Sequence, residues 1–125
     1  MSQKITQAEF EIMDALWAEA PLAAADIAGR LKAQTDWSVK TVKTLLTRLV
    51  EKGAVAHEED GRRYLYRPLL SRAAYARTET SSLAQKLFGG RAAPLVAHLA
   101  EADGLSADDL NALERLVEEL KRDSD

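Results

Sequence analysis

Residues 36–50, DWSVKTVKTLLTRLV, predict an amphipathic helix with an unusual polar face. Apolar residues recur there at spacings of three and four, which places them on one side of a helix with 3.6 residues per turn. Ser38 is a preferred N-cap residue at its start, and Gly53 suits the position just past its end. The predicted buried face consists of Val39, Val42, Leu45, Leu46, Leu49 and Val50.

The opposite face of this helix carries threonines between cations, where a solvated face usually carries Glu, Gln and Lys. Threonine is a poor helix former because its branched side chain loses rotamer freedom, so a merely solvated face gains nothing from it. A face that reads DNA does gain, because the hydroxyl and the methyl group can contact base edges while cations contact phosphates or guanine. The predicted DNA-contacting residues of the helix are Ser38, Lys40, Thr41, Lys43, Thr44, Thr47 and Arg48.

Two more helices are predicted before this one. Thr6 and Glu9 have the spacing of a capping box, and the apolar periodicity that follows predicts a helix that Pro21 ends. Residues 25–34 predict a second, short helix.

A β-hairpin is predicted directly after the third helix. Residues 54–69 read as two short strands, and Asp60-Gly61 is a two-residue hairpin signal between them. Arg62 and Arg63 follow at the tip, where they suit contacts with the phosphate backbone. The order helix, helix, helix, hairpin is that of a winged helix-turn-helix domain, which reads DNA with its third helix.

The rest of the chain is predicted to be helical and rich in apolar residues. Three helices without a partner surface would leave many of these apolar side chains exposed to water, so we expect some of the side chains to pack on a second copy of the chain. The alternative is that the three helices fold back on the winged domain. The predicted division is a winged helix-turn-helix DNA-binding domain over residues 1–70 and a helical dimerisation arm over residues 71–125. The predicted dimerisation residues are Leu83, Leu87, Phe88, Leu95, Val96, Leu99, Leu110, Leu113, Leu116, Val117 and Leu120.

The charge of the 125-residue chain is unevenly distributed. The net charge is −3, but residues 27–75 carry +5 and the segments on either side carry −4 each. A basic middle is compatible with an anion-binding surface despite the acidic total. No apolar run approaches the roughly 20 residues of a membrane-spanning helix, and no secretory signal is visible, so the expected location is the cytoplasm.

Nothing in the sequence predicts catalysis, a cofactor or a metal site. The chain has no cysteine, and its two histidines, His57 and His98, stand far apart without carboxylates at metal-ligand spacing. No Ser/His/Asp arrangement and no glycine-rich phosphate loop occurs. An enzyme is therefore the least favoured class.

Three segments resemble the penicillinase-repressor family of bacterial regulators, the BlaI/MecI/CopY type. They are ITQAEFEIMDALW (5–17), DWSVKTVKTLLTRLVEKGAV (36–55) and GRRYLYRPL (61–69). The resemblance implies a homodimeric repressor that binds a pseudo-palindromic operator upstream of β-lactam-resistance or stress genes. It also implies that, in members released by a sensor protease, cleavage falls in the C-terminal arm.

The sequence departs from this family in two places. Copper-responsive members carry a C-terminal cysteine motif, which a chain without cysteine cannot use. In β-lactam-responsive members the cleaved bond joins Asn to Phe in the second arm helix. The matching pair here is His98-Leu99, which is the candidate cleavage site.

Three functions remain open, two of them regulators and the third of another class. The first is the repressor just described. The second is a winged-helix regulator released by a small molecule, which a ligand-induced thermal shift would favour. The third is a protein-interaction module that uses the winged fold without DNA, which an absence of salt-dependent DNA binding would favour.

Overall fold

The computed structural model describes residues 4–124, which form three helices, a hairpin and three further helices. The elements are α1 (Gln7–Ala18), α2 (Ala24–Leu31), α3 (Val39–Glu51), β1 (Val55–Asp60), β2 (Arg63–Pro68), α4 (Arg72–Phe88), α5 (Ala92–Ala102) and α6 (Ala107–Asp123). The predicted class, mainly α with a small β-hairpin, is confirmed. Residues 1–3 and 125, at the outer ends of the two predicted domains, lie outside the described residues.

Two compact units make up the chain, and the second begins at Thr78. The first contains α1 to α3, the hairpin and the first residues of α4. The second contains the remainder of α4 together with α5 and α6. Along residues 4–124 no helix is long and apolar enough to cross a lipid bilayer.

The predicted capping box at the start of α1 is confirmed. Thr6 Oγ1 accepts a hydrogen bond from the Glu9 N–H at 3.1 Å, and the Thr6 N–H donates to Glu9 Oε1 at 2.8 Å. Each residue thereby satisfies a backbone donor that the first turn of a helix leaves unpaired. α1 then ends at Ala18, ahead of Pro21, as expected.

Glu9 is also fully buried and joins the start of α1 to the end of α3. Lys52, the C-cap residue of α3, places its Nζ 2.5 Å from Glu9 Oε1. Burial raises the pKa of Glu9, but the hydrogen bonds from Lys52 and Thr6 and the charge of Lys52 outweigh it. The pKa therefore lies below the ordinary value of 4.5.

Both predicted ends of α3 are confirmed. Ser38 Oγ accepts from the Thr41 N–H at 3.1 Å, which is the expected N-cap bond. At the other end Gly53 has a φ of +77°, and the N–H groups of Gly53 and Ala54 donate to Val50 O and Leu49 O, both at 3.0 Å. This pair of bonds is the Schellman motif, which requires a left-handed residue and therefore favours glycine.

The core of the first unit lies between α1, α2, α3 and the start of β1. The buried side chains of α3 are Val42, Leu45, Leu46 and Leu49, and they contact a cluster that includes Ile12, Met13, Leu16, Ile27 and Val55. Val50 is half-buried at the edge of this cluster. Four of the six residues of α3 that were predicted to be buried are thus buried.

The prediction that Val39 belongs to the buried face is wrong. Val39 is 38% exposed, and it lines an open groove together with Trp37. Across this groove α2 presents Ala28, whose side chain is a single methyl group, and Gly29, which has none, so neither covers the first turn of α3. The spacing of Val39 is that of a core residue, but small residues of α2 line the groove beside it, and Val39 stays exposed.

The hairpin turn lies one residue later than the sequence signal indicated. Asp60 pairs with Arg63 as the last rung of the ladder, so the two-residue turn is Gly61-Arg62 and not Asp60-Gly61. Gly61 has a φ of +66°, and no non-glycine residue among those described has a positive φ. A left-handed first position followed by an ordinary second one is the type II′ turn, which places glycine first.

The hairpin and the start of α4 are both fixed to the first three helices. Tyr66 and Leu22 exchange backbone hydrogen bonds of 2.8 and 3.1 Å, which form an isolated antiparallel bridge beside the two-stranded sheet. Trp17 donates from Nε1 to Leu70 O at 2.7 Å, and its ring lies 5.7 Å from that of Tyr75 in α4. These contacts hold the hairpin in a set position next to α3.

The second unit consists of helices that bury none of their side chains in the described chain. α4 ends at Phe88, and the two residues that follow it, Gly89 and Gly90, both have positive φ. α6 begins with a capping box between Ser106 and Asp109, which accounts for the acidic residues of its first turn.

Candidate nucleic-acid interface

The outward face of α3 has the exposure that the sequence predicted. Lys40, Thr44, Thr47 and Arg48 follow at spacings of four, three and one, so they lie on one side of the helix. The side chains exposed there and at its edges are Ser38, Lys40, Thr41, Lys43, Thr44, Thr47 and Arg48. Their contact with DNA stays a prediction.

The cations of this face are not neutralised by the chain itself. Within residues 4–124 no carboxylate lies within ion-pair distance of Lys40, Lys43 or Arg48. By contrast, Arg30 pairs with Glu19 and Arg72 pairs with Asp14 elsewhere in the first unit. The unpaired charges of α3 are therefore available to an anionic partner.

Two threonines of the face use their hydroxyl groups inside the helix. Thr44 Oγ1 donates to Lys40 O at 3.1 Å, and Thr47 Oγ1 donates to Lys43 O at 2.9 Å. The sequence pattern predicted that these hydroxyls contact DNA. The local bond was not predicted, although a threonine inside a helix regularly bonds the carbonyl one turn earlier.

Ser38 and Thr41 interact with each other at the start of α3. Besides accepting the Thr41 N–H, Ser38 Oγ lies 3.2 Å from Thr41 Oγ1. This geometry accounts for Ser38 as a cap residue. Its predicted contact with DNA would therefore use the hydrogen-bonding capacity of Ser38 Oγ that the cap bond does not occupy.

The two arginines at the hairpin tip differ in their surroundings. Arg62 lies in the turn, is exposed, and forms no ion pair with any residue that the structure describes. Arg63 places Nε and Nη2 each 3.4 Å from Asp60 Oδ2, its neighbour across the ladder. At the tip, Arg62 is therefore an unpaired cation and Arg63 forms an ion pair with Asp60.

Arg67 is a third exposed cation of the hairpin, and it was not among the predicted DNA-contacting residues. It lies two residues beyond Leu65 and four beyond Arg63, so all three side chains are on the same face of β2. The alternation of Arg, Leu and Arg was the signal that could have identified it. On the other face, His57 packs edge-on against Tyr64 with ring centroids 4.8 Å apart.

The histidines lie in two separate aromatic contacts. His57 is part of β1, and His98 lies in α5 with its ring 5.2 Å from that of Phe88. In the described part of the chain, no group of three or more His, Cys, Asp and Glu side chains could hold a metal ion. The candidate cleavage pair, His98-Leu99, lies in the middle of α5, and both residues are exposed.

The predicted dimerisation residues are exposed or half-buried in the single chain. On α6 the exposed fractions of Leu110, Leu116, Val117 and Leu120 lie between 47 and 57%. The other exposed residues of the predicted set are Leu83, Leu87 and Leu99. The half-buried ones are Phe88, Leu95, Val96 and Leu113.

Comparison with known proteins places the whole pattern in one family. A family model described as "Penicillinase repressor" matches residues 5–119. The penicillinase repressor of Bacillus licheniformis is 30% identical over 118 residues, which are 94% of this chain and 92% of that protein. The methicillin resistance regulatory protein MecI of Staphylococcus aureus is 29% identical over 114 residues, with coverages of 91 and 93%.

A solved structure of a DNA complex is also similar to part of the chain. It is the monomeric form of Bacillus licheniformis BlaI in complex with the blaP half-operator, at 32% identity and a TM-score of 0.51. The match covers 60% of this chain and 92% of that one. The winged-helix fold is thereby confirmed, and the chain belongs to the penicillinase repressor family.

Proposed function

We propose that the chain is a transcriptional repressor that binds a pseudo-palindromic DNA operator as a homodimer. The observation that carries the proposal is the outward face of α3, where Lys40, Lys43 and Arg48 are exposed and unpaired. The BlaI complex with a half-operator supports it, because that protein has a similar fold and sequence.

In the proposed complex α3 lies in the major groove. Helix-turn-helix proteins direct the N-terminal residues of the recognition helix at the bases, which here are Lys40, Thr41 and Thr44. Arg48, two turns on from Lys40, contacts a guanine edge or a phosphate. Arg62 reaches the phosphate backbone from the wing, and Arg63 does so if it leaves Asp60.

The arm supplies the second half of the proposal. Its exposed leucines would be covered by a second copy, with the winged domain taken as residues 1–70 and the arm as residues 71–125. Two joined winged domains bind a palindrome more tightly than one, since the first contact raises the effective concentration of the second.

The regulated genes are proposed to be β-lactam-resistance or stress genes, with release by a signal such as cleavage in the arm. His98-Leu99 is the proposed cleavage site. Because this pair lies in the middle of α5, a protease that needs an extended segment could cut it only after the helix opens locally. Cleavage should therefore be faster under conditions that loosen α5.

A binding experiment across a salt series tests the repressor proposal. The full chain is titrated onto the DNA upstream of its own gene, with a shuffled duplex as the control, and the footprint is mapped. We expect specific binding, a two-fold footprint and a log–log salt slope of about −0.9 per neutralised phosphate. No specific binding by a verified dimer at low salt would contradict the proposal and favour the protein-interaction module.

A further inference from the structure

The hydroxyl protons of Thr44 and Thr47 are committed to the backbone of α3. The bond from Thr47 to Lys43 O has a length of 2.9 Å, within the normal range for a hydroxyl donor, and the bond from Thr44 to Lys40 O is slightly longer at 3.1 Å. Both side chains lie on the exposed face, with no other described residue bonded to their hydroxyl oxygens. What each side chain has left for a partner is its methyl group and the lone pairs of its oxygen.

This restriction changes which base edges the two threonines can read. In the major groove guanine offers only acceptors, so a side chain without a free donor gains nothing from it. Thymine offers a methyl group, which is a match for the methyl group of threonine. Cytosine presents an amino group but no methyl group, so it lacks the apolar contact.

We propose that Thr44 and Thr47 are specificity-determining residues that read thymine through methyl–methyl contact. The inference rests on the proposed function, because it assumes that α3 lies in the major groove. On this basis the two threonines favour A·T pairs, while the unpaired cations Lys40 and Arg48 on the same face supply the contacts to guanine or phosphate.

The alternative is that the hydroxyls turn outward when DNA binds. Such a rotation would break one hydrogen bond for each threonine, and the new bond to a base would only replace it. Methyl contact requires no such change, because the hydroxyls stay where the free chain already holds them. The two mechanisms make opposite predictions for variants that keep only the methyl group or only the hydroxyl.

The test uses the full chain and duplexes selected from a random library by the wild-type protein. Thr44→Val and Thr47→Val keep a methyl group without the hydroxyl, whereas Thr44→Ser and Thr47→Ser keep the hydroxyl without the methyl group. The selected duplex is also prepared with deoxyuridine in place of thymidine, which removes only the base methyl groups. Affinities are measured by fluorescence anisotropy, with Thr80→Ser in α4 as the matched control.

We expect the valine variants to bind within about twofold of the wild type and each serine variant to bind about fourfold more weakly, the value of one buried methyl group. The wild type should bind the deoxyuridine duplex about fourfold more weakly than the thymidine duplex. The difference in affinity between the two duplexes should be smaller for the serine variants. Loss in the valine variants with normal binding by the serine variants would overturn the inference, because the hydroxyls would then be the reading groups. Normal binding by all four variants would overturn it as well.

Failure of the inference can be told from failure of the proposed function. If Arg48→Ala abolishes selective binding while all four threonine variants bind normally, the repressor proposal stands and the inference alone is wrong. If the wild-type chain selects no sequence from the library, the proposed function fails and the inference fails with it.

Discussion

α3 and α6 carry similarly regular apolar stripes, but the structure buries only the stripe of α3. Leu46 of α3 is inaccessible to solvent, whereas Leu116 of α6 keeps 48% of its surface exposed. α3 packs against α1, α2 and β1, while no residue of α6 is buried within residues 4–124. A regular stripe thus identifies the face that a helix can bury, and the surrounding elements decide whether the same chain covers it.

The largest effect is expected from shortening a leucine in the buried stripe. Leu46→Ala should lower the free energy of unfolding by about 2–5 kcal/mol, because it removes apolar contacts and leaves a cavity in a close-packed core. Leu69→Ala is the matched control, since Leu69 is 55% exposed in the same unit, and it should cost under about 0.5 kcal/mol. Urea unfolding can be followed by the fluorescence of Trp17 and Trp37; equal losses would show that the core is wrongly assigned.

The second prediction concerns the exposed stripe and tests what covers it. Leu116→Asp should weaken the proposed dimer by at least about tenfold, because burial of an unpaired carboxylate at an apolar interface is unfavourable. Asn111→Asp adds the same charge on the opposite face of α6 and should leave association unchanged. Sedimentation equilibrium over a concentration series measures both; a dimer equally stable in both variants would contradict the assignment of the arm.

A third change should separate DNA binding from association. Arg48→Ala removes an unpaired cation from the outward face of α3 and should weaken operator binding by about 10- to 100-fold. It should leave the dimer and the unfolding transition unchanged, because Arg48 is exposed and makes no ion pair in residues 4–124. Normal operator binding by this variant would mean that the reading face lies elsewhere.

Local signals in the sequence predicted the capped helix ends correctly, whereas the second helix, predicted over residues 25–34, ends three residues earlier at Leu31. The caps at Thr6 and Ser38 and the glycine after α3 depend on a few neighbouring residues, so the sequence contains all that decides them. The class of fold followed in the same way from the order of the elements.

Features that depend on distant residues or on rotamers were not predicted. The exposure of Val39 depends on the small side chains of α2, and the turn at Gly61-Arg62 depends on the register of the two strands. The inward bonds of Thr44 and Thr47 are a choice between rotamers that composition does not reveal.

The ion pair between Glu9 and Lys52 was not predicted either, although Glu9 was predicted to be a capping residue. The two residues are 43 positions apart, and only the packing of α1 on α3 brings them together. Glu9→Gln should lower the free energy of unfolding by about 1–3 kcal/mol, since a neutral amide replaces the anionic acceptor of a charge-assisted hydrogen bond and leaves the charge of the largely buried Lys52 without a counter-ion. Glu58→Gln, at an exposed position of β1, is the control and should have little effect.

The same pair predicts how acid acts on the first unit. Because the folded-state pKa of Glu9 lies below its ordinary value of 4.5, the ionised carboxylate stabilises the fold fully above pH 4.5. This contribution is lost as the pH falls from 4.5 through the lowered folded-state pKa. In this range the Glu9 carboxylate takes up a proton more readily in the unfolded chain than in the folded one, so acid favours unfolding. Urea unfolding of the wild type and of Glu9→Gln at a series of pH values measures the difference between them. The two stabilities should converge as the pH falls below 4.5; a difference that stays constant would show that the ionised form of Glu9 does not stabilise the fold.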